Sequence, residues 1–367
     1  LKEVAMDKTY MQRALSLAEK GVGLANPNPL VGAVIVKNDR IIAEGYHARY
    51  GDAHAEINAI NQASESIEGA TMYVTLEPCS HYGKTPPCAL ALVKGGLKRV
   101  VIASKDPNPL VAGKGIKMLK DAGIEVKSGV LDTENKALNE IFFHYITTKR
   151  PFVIMKSAMS ADGKTATRTY DSKWISNDKS RKFVHKLRNR VSAIMVGSNT
   201  LIKDNPRLNV RLENTEVSHP IPIILDNAAT IPLDSHVLNG PIDPIVVVNA
   251  HADASKIKAL KDKGADIVVM EDDNGNFDLN ILMDKLGVKG IDSILLEGGS
   301  TLNEGAFKAG IVQKYYVFIA PKIIGGKDAL TPVGGRGFDT VNESIPLKRD
   351  TIEFFDEDIL VIYSVGG

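Results

Sequence analysis

Cysteine is nearly absent from this 367-residue chain: there are two, Cys79 and Cys88. A disulfide-stapled secreted scaffold is thereby excluded, and a reducing, cytoplasmic compartment is the expectation. Charge excess is missing as well, since 45 basic residues face 44 acidic ones for a net charge of +1. Polynucleotide binding usually needs a basic stripe, so no nucleic-acid partner is expected. Long hydrophobic runs are also wanting. Stretches such as 30–36 and 245–248 are typical of the apolar runs present; they fall well short of the about 18 residues a membrane helix needs and read as buried strands. Neither a membrane span nor a secretory leader is expected. No internal repeat or low-complexity tract is visible. What is present is an ordinary globular composition, 44% hydrophobic and 24% charged, over a length that suits two domains.

The hydrophobic pattern reads as two α/β halves. Residues 1–5 precede Met6 and are expected to be a remnant outside the fold. Residues 8–20 have helical spacing (Tyr10, Met11, Ala14, Leu15, Ala18), broken by Asn26-Pro27-Asn28-Pro29 before a strand at 30–37. Asn38-Asp39 reads as a hairpin turn into 41–44. Helices at 53–62, 87–94, 115–122 and 133–145 alternate with strands at 71–76, 99–103 and 124–126. This predicts a mixed sheet with helices on its faces. The polar, basic stretch 147–150 before Pro151 marks a boundary, giving domains at 6–149 and 150–367. Beyond it, strands at 152–157, 193–196, 221–225, 244–248, 266–270 and 293–296 alternate with helices at 178–190, 198–203, 254–261, 279–286 and 301–309. The last strands, 314–319, 351–355 and 359–364, read as antiparallel, closing a mostly parallel sheet.

His54-Ala55-Glu56 opens one helix, and Pro78-Cys79 with Cys88 opens another after a strand. One imidazole and two thiolates are three ligands of the kind zinc prefers. The fourth tetrahedral position is left for water, which marks a catalytic site. Zinc lowers the pKa of bound water from about 15.7 to about 7. Glu56, two residues past His54 and not needed as a ligand, can move protons to a ring nitrogen and a departing ammonia, as in nucleobase deaminases. Singly, these elements are commonplace: a His-x-Glu pair is usually a solvated helix start, and free cysteines are usually small buried hydrophobes. Their order, and the lack of other cysteines, favours the metal. The deaminase signature has two residues between its cysteines; here there are eight. That loop supplies His81, Lys84 and Thr85, with Lys84 a candidate for a phosphate and His81 for a ring edge.

The second half lacks Gly-x-Gly-x-x-Gly, so a Rossmann dinucleotide site is not supported. The strand at 293–296 runs into Glu297-Gly298-Gly299-Ser300-Thr301, a helix start whose N–H groups can cradle a phosphate. An ordinary strand-to-helix turn fits the same residues. The stretch 156–164 is a strand entering a polar turn, a usual place for a binding loop. Ser172, Trp174, Arg188, Thr200, Asp204, Arg207 and Arg211 gather hydroxyls and cations after successive elements, and arginine forks suit a ribose-phosphate ligand. Composition alone reads them as surface arginines and a core tryptophan.

The stretches Asn26-Pro27-Asn28-Pro29-Leu30-Val31-Gly32, His54-Ala55-Glu56 and the whole run from Thr75 to Cys88 resemble those of the bifunctional riboflavin-biosynthesis deaminase/reductase family of bacteria. The long loop between the cysteines is specific to that family among related deaminases. Segments 158–164 and 296–299 match its second-half motifs, so the resemblance spans nearly the whole chain. It implies a cytidine-deaminase-like mixed-sheet α/β/α domain holding one zinc through His54, Cys79 and Cys88, with Glu56 catalytic. A dihydrofolate-reductase-like α/β domain binding NADPH would follow. Carried over, Ala158, Trp174, Thr200, Asp204, Asn227 and the turn of Gly299, Ser300, Thr301, Leu302, Asn303, Glu304 and Gly305 line the cofactor. Ser172, Arg188, Leu208, Arg211 and Glu297 hold the substrate. The implied partner is a small phosphoribosylamino-pyrimidine, deaminated at its 2-amino group and then reduced by hydride transfer to the ribose C1′, giving a ribityl chain. No acid or base for the hydride step stands out. A homo-oligomer is the expected state. Two readings compete: a single-function zinc deaminase with a binding module, and a non-enzymatic protein with structural zinc. The first predicts no cofactor binding, the second a fourth protein ligand.

Overall fold

Helical spacing at the start of the chain produces α1 (Lys2–Ala18) in the computed structural model, which describes residues 2–80, 82, 86–108, 111–213, 215–273 and 276–366. Residues 2–5, expected outside the fold, belong to this helix. The chain divides into two units, Leu1–Lys149 and Arg150–Gly367.

In the first unit, Asn38 and Asp39 both take positive φ, 50° and 59°, the backbone of a tight primed turn. They join β1 (Gly32–Lys37) to β2 (Arg40–Tyr46). Then follow α2 (Ala55–Asn61), β3 (Thr71–Leu76), α3 (Cys88–Lys94), β4 (Arg99–Ser104), α4 (Lys114–Asp121), β5 (Glu125–Ser128), α5 (Asp132–Leu138) and α6 (Glu140–Thr148). The sheet order is β2-β1-β3-β4-β5, antiparallel through β3 and parallel beyond. Alternate residues feed two cores: Ala33, Ile35, Met72 and Val74 on one face, Val34, Val36, Tyr73 and Val101 on the other with Met11 of α1. The single helix expected over 133–145 is two helices. The Asn139 side chain accepts from the Leu30 N–H at 2.7 Å and donates to the Leu30 carbonyl at 3.0 Å, and this long-range pairing overrides a continuous helical pattern.

On the buried face of α1, Asp7 is 1% exposed. It accepts hydrogen bonds from Arg99, Lys127 and Tyr73 at 2.8–3.0 Å. Burial alone would raise its carboxyl, but these bonds outweigh burial and hold it below the ordinary value. A depressed folded pKa contributes stability above the unfolded value of about 3.9, and that stability is lost as pH falls through the folded pKa. Asp7→Asn should therefore melt lower at pH 7 yet lose less on acidification to pH 3. An acid-induced loss as large as the parent's would show that another group titrates.

The second unit runs β6 (Phe152–Ser160), α7 (Asp178–Arg190), β7 (Ala193–Gly197), α8 (Ser198–Asp204), β8 (Ile221–Leu225), β9 (Ile245–Asn249), α9 (Ala254–Asp262) and β10 (Asp266–Met270). A two-residue ribbon, β11 (Asp272–Asp273) with β12 (Asn276–Phe277), precedes α10 (Leu279–Val288), β13 (Ser293–Leu296), α11 (Ser300–Lys308), β14 (Val312–Ala320), β15 (Leu347–Phe355) and β16 (Asp358–Val365). The large sheet has the order β10-β9-β8-β7-β13-β6-β14-β16-β15. Its near-continuous apolar strands are covered on both faces by two core clusters. β14, expected to be antiparallel, pairs parallel with β6 and antiparallel only with β16. β13 inserts between β6 and β7, which places the reversal of strand order there.

Candidate active sites

In the first unit, β3 delivers Cys79 just past its carboxyl end, His54 caps α2 from an extended backbone, and Cys88 begins α3. His54 Nδ1 lies 3.6 Å from Cys79 Sγ and 3.3 Å from Cys88 Sγ. These three ligand atoms lie within 4.8 Å of one another, the one such cluster of three or more metal-binding groups among the described residues. Zn–S and Zn–N bonds of about 2.3 and 2.0–2.1 Å at a tetrahedral angle set an N···S edge of about 3.5 Å, so the spacing fits the ion. Hydrogen bonds from the Cys88 thiol, His54 and the Cys88 N–H hold the Cys79 thiol far below its ordinary value. The shared proton and burial push Cys88 up.

Glu56, in the first turn of α2, is 4% exposed, and burial pushes its carboxyl up to about 7. A cation at the three ligand atoms draws it down again. The sequence reading missed His47. Its ring packs edge-on to His54 with centroids 5.6 Å apart. Its Nδ1–H donates to the Ala53 carbonyl at 3.2 Å, and Asn28 donates to its Nε2 at 3.1 Å. The signal available was the position of His47 directly after β2. His81, Lys84 and Thr85 lie outside the described residues.

In the second unit, a cleft of about 2040 Å³ opens at the carboxyl ends of β7, β8 and β13 and along β6, beside the reversal of strand order where α/β sheets bind ligands. Around it stand Ala158 of β6, Ser172 and Trp174 from the following loop, Arg188 of α7, and Thr200 and Asp204 of α8. Leu208, Arg211, Asn227, Glu297 and residues 299–305 complete the set; the expected turn over 299–305 is Gly299 capping α11, with 300–305 already helical. Trp174 is no core residue: it is 63% exposed, with the Arg181 guanidinium 4.4 Å from its ring centroid. A Cβ placed on Gly299 would stand 3.8 Å from Thr200 Oγ1, so the starts of α8 and α11 lie beside each other with the Thr200 hydroxyl between them. Such paired N–H-bearing turns suit the phosphates of a dinucleotide.

Arg188 is already engaged. Its Nε and Nη2 donate to Glu297 at 2.9 and 2.7 Å, and Nη1 donates to the Asn209 carbonyl at 3.2 Å. Burial alone would raise the Glu297 carboxyl, but Arg188 and Lys156 hold it at about 2. Lys156 is a second residue the sequence reading missed. It lines the cleft, and burial lowers its ammonium pKa against the pull of Glu297. It was hidden because a lone lysine on an apolar strand carries no spacing signal.

Residues 4–104 match the cytidine and deoxycytidylate deaminase zinc-binding region, and residues 151–361 match the RibD C-terminal domain. The riboflavin biosynthesis protein RibD of Actinobacillus pleuropneumoniae is 49% identical over 98% of this chain and 95% of its own length. The chain belongs to the RibD family. It is thus a bifunctional enzyme of riboflavin biosynthesis, with a zinc-binding deaminase domain followed by a reductase domain. Two solved RibD-family structures agree across the chain. That of Acinetobacter baumannii RibD superimposes with a TM-score of 0.91 at 36% identity, covering 99% of this chain and all of the other. The Thermotoga maritima diaminohydroxyphosphoribosylaminopyrimidine deaminase/5-amino-6-(5-phosphoribosylamino)uracil reductase gives 0.87 at 38% identity with the same coverage. No helix among the described residues is long and apolar enough to cross a membrane. A reductase domain suggests a nicotinamide cofactor, and the cleft has room for one.

Proposed function

We propose that this chain removes the 2-amino group of a diaminohydroxyphosphoribosylaminopyrimidine by hydrolysis and then reduces the resulting phosphoribosylamino-uracil to its ribityl form with NADPH. The observation that carries the reading is the His54–Cys79–Cys88 cluster with the buried Glu56 beside it. Zinc held by those three residues supplies an activated water at neutral pH. Glu56 would accept the first proton of the attacking water and hand it to the ring nitrogen as the C–O bond forms, then move the second, from the new hydroxyl, to the amino group as the C–N bond breaks and ammonia leaves. Burial serves this task, because it raises the carboxyl against the pull of the bound cation and so keeps Glu56 able both to take and to give a proton.

In the second unit NADPH supplies the hydride. Gly299 and the first turns of α11, with Thr200, would hold its phosphates, and Trp174 offers an exposed ring face. Opening of the ribose ring releases an oxygen that must gain a proton as C1′ gains hydride. Lys156, half-buried in the cleft with its ammonium pKa lowered by burial against the pull of Glu297, can give that proton. Arg207 and Arg211 supply cations for the substrate phosphate. Lys156→Met should accordingly lower the kcat of reduction far more than it raises KM; a pure KM effect would reduce Lys156 to a binding group.

The cofactor assignment is tested by thermal unfolding of the full chain. NADPH at about 100 times its dissociation constant should stabilise the second unit by about 2.7 kcal/mol, with NADH giving less at equal concentration. No shift with NADPH would contradict the assignment.

A further inference from the structure

Glu77 is a buried carboxylate next to the metal-ligand cluster with no part in the deamination chemistry. It is 4% exposed, and its N–H donates to the Ser104 carbonyl at 3.0 Å, extending the β3–β4 ladder. Its Oε2 accepts from the N–H groups of Asp106 at 3.3 Å and Gly113 at 3.0 Å, and its Oε1 from that of Ile116 at 3.1 Å. Gly113 caps α4 and Ile116 lies in its first turn, so the negative charge sits on the positive end of that helix. The same turn lies hard against the next residue, since a Cβ on Gly115 would fall 2.0 Å from the Pro78 carbonyl oxygen. On its other side Cys79 is tied to α3: its carbonyl accepts from the Ala89 N–H at 3.1 Å and its sulfur from the Cys88 N–H at 3.2 Å.

We propose that Glu77 is a positioning residue for the zinc site: its carboxylate pins the start of α4 against Pro78 and so fixes Cys79 Sγ relative to His54 and Cys88. The inference rests on the zinc reading above. A carboxylate is required because three N–H donors converge on its two oxygens. Glutamine has the same shape, but its NH₂ must confront at least one of those donors, leaving it unsatisfied. Loosening Cys79 then costs metal affinity, as losses behind a ligand commonly do.

The test is zinc affinity of the full-length protein, read by competition with a chromophoric chelator, with reduction as the control for the second unit. Glu77→Gln should bind zinc about 10–100-fold more weakly. Ile35→Val, a core change in β1, should lower the melting temperature while leaving affinity unchanged, which separates positioning from general loosening. Should Glu77→Gln not fold, Glu77→Asp keeps the charge but is one methylene too short to span Gly113 and Ile116, and is expected to show the same loss. Parental affinity in the variant measured overturns the proposal. A parent that binds no zinc overturns the zinc reading instead.

Discussion

Glutamine in place of Glu56 is expected to lower the deamination rate by about 10²–10⁴-fold, the usual worth of a general acid–base group, while zinc content and reduction stay parental. The separation follows from geometry. The three ligand atoms come from His54, Cys79 and Cys88 and none from Glu56, so removing its charge leaves the metal-ligand set whole. Glu56 is also buried, at 4% exposure, so bulk water is poorly placed to take over its proton transfers. Glutamine preserves volume and polarity, which keeps the core under α2 filled. Deamination near the parental rate would show that the proton moves through another group.

Arg188→Ala is expected to lower kcat/KM for reduction by about 10²–10³-fold, with deamination unchanged. Arg188 and Glu297 form a two-pronged pair with side chains only 12% and 15% exposed. Removing one partner of such a buried pair typically costs about 3–5 kcal/mol of stability, because the other charge is left without compensation, so the part of the cleft that Arg188 and Glu297 line loses its fixed geometry. The sign of the pH effect follows. Glu297 is now held at about 2 by Arg188 and Lys156 against burial. Without Arg188, burial dominates and the carboxyl rises, so it begins to take up a proton as pH falls toward its new value. The variant's reductase rate should then depend on pH in a range where the parent's is flat. Arg188→Lys should not restore it, since an ammonium cannot supply the paired Nε and Nη2 donors. A flat profile in the alanine variant would mean that Arg188 acts on the substrate alone.

Much of this architecture is written in local pattern. Residues 178–190, 221–225, 266–270 and 293–296 form elements with the expected bounds, because each is a clean helical stripe or a short apolar run between turn residues. The turn at Asn38-Asp39 was legible for the same reason: its two residues tolerate left-handed backbone. What escaped was set by distant partners. Nothing near Asn139 shows that it will bind the backbone of Leu30 and split a helix. β15 starts at Leu347, not at 351, because pairing with β16 carries it through the polar Lys348–Asp350 stretch. At the sites, His54, Glu56, Cys79 and Cys88 stood out because zinc chemistry needs few residue types at fixed order. His47, Glu77 and Lys156 did not, since their placement depends on burial and on partners that no local pattern reveals.

The central claim is that one chain performs hydrolysis in its first unit and cofactor-dependent reduction in its second. The direct measurement is to supply the diamino-phosphoribosylamino-pyrimidinone to the zinc-loaded protein with and without NADPH and to identify the products. Without NADPH, ammonia should be released in step with substrate loss and the ribosylamino-uracil should accumulate. With NADPH, the ribitylamino product should replace it, with one cofactor oxidised per ammonia released. Release of ammonia with no cofactor oxidation at any NADPH concentration would contradict the account of the second unit, and cofactor oxidation without ammonia would contradict that of the first.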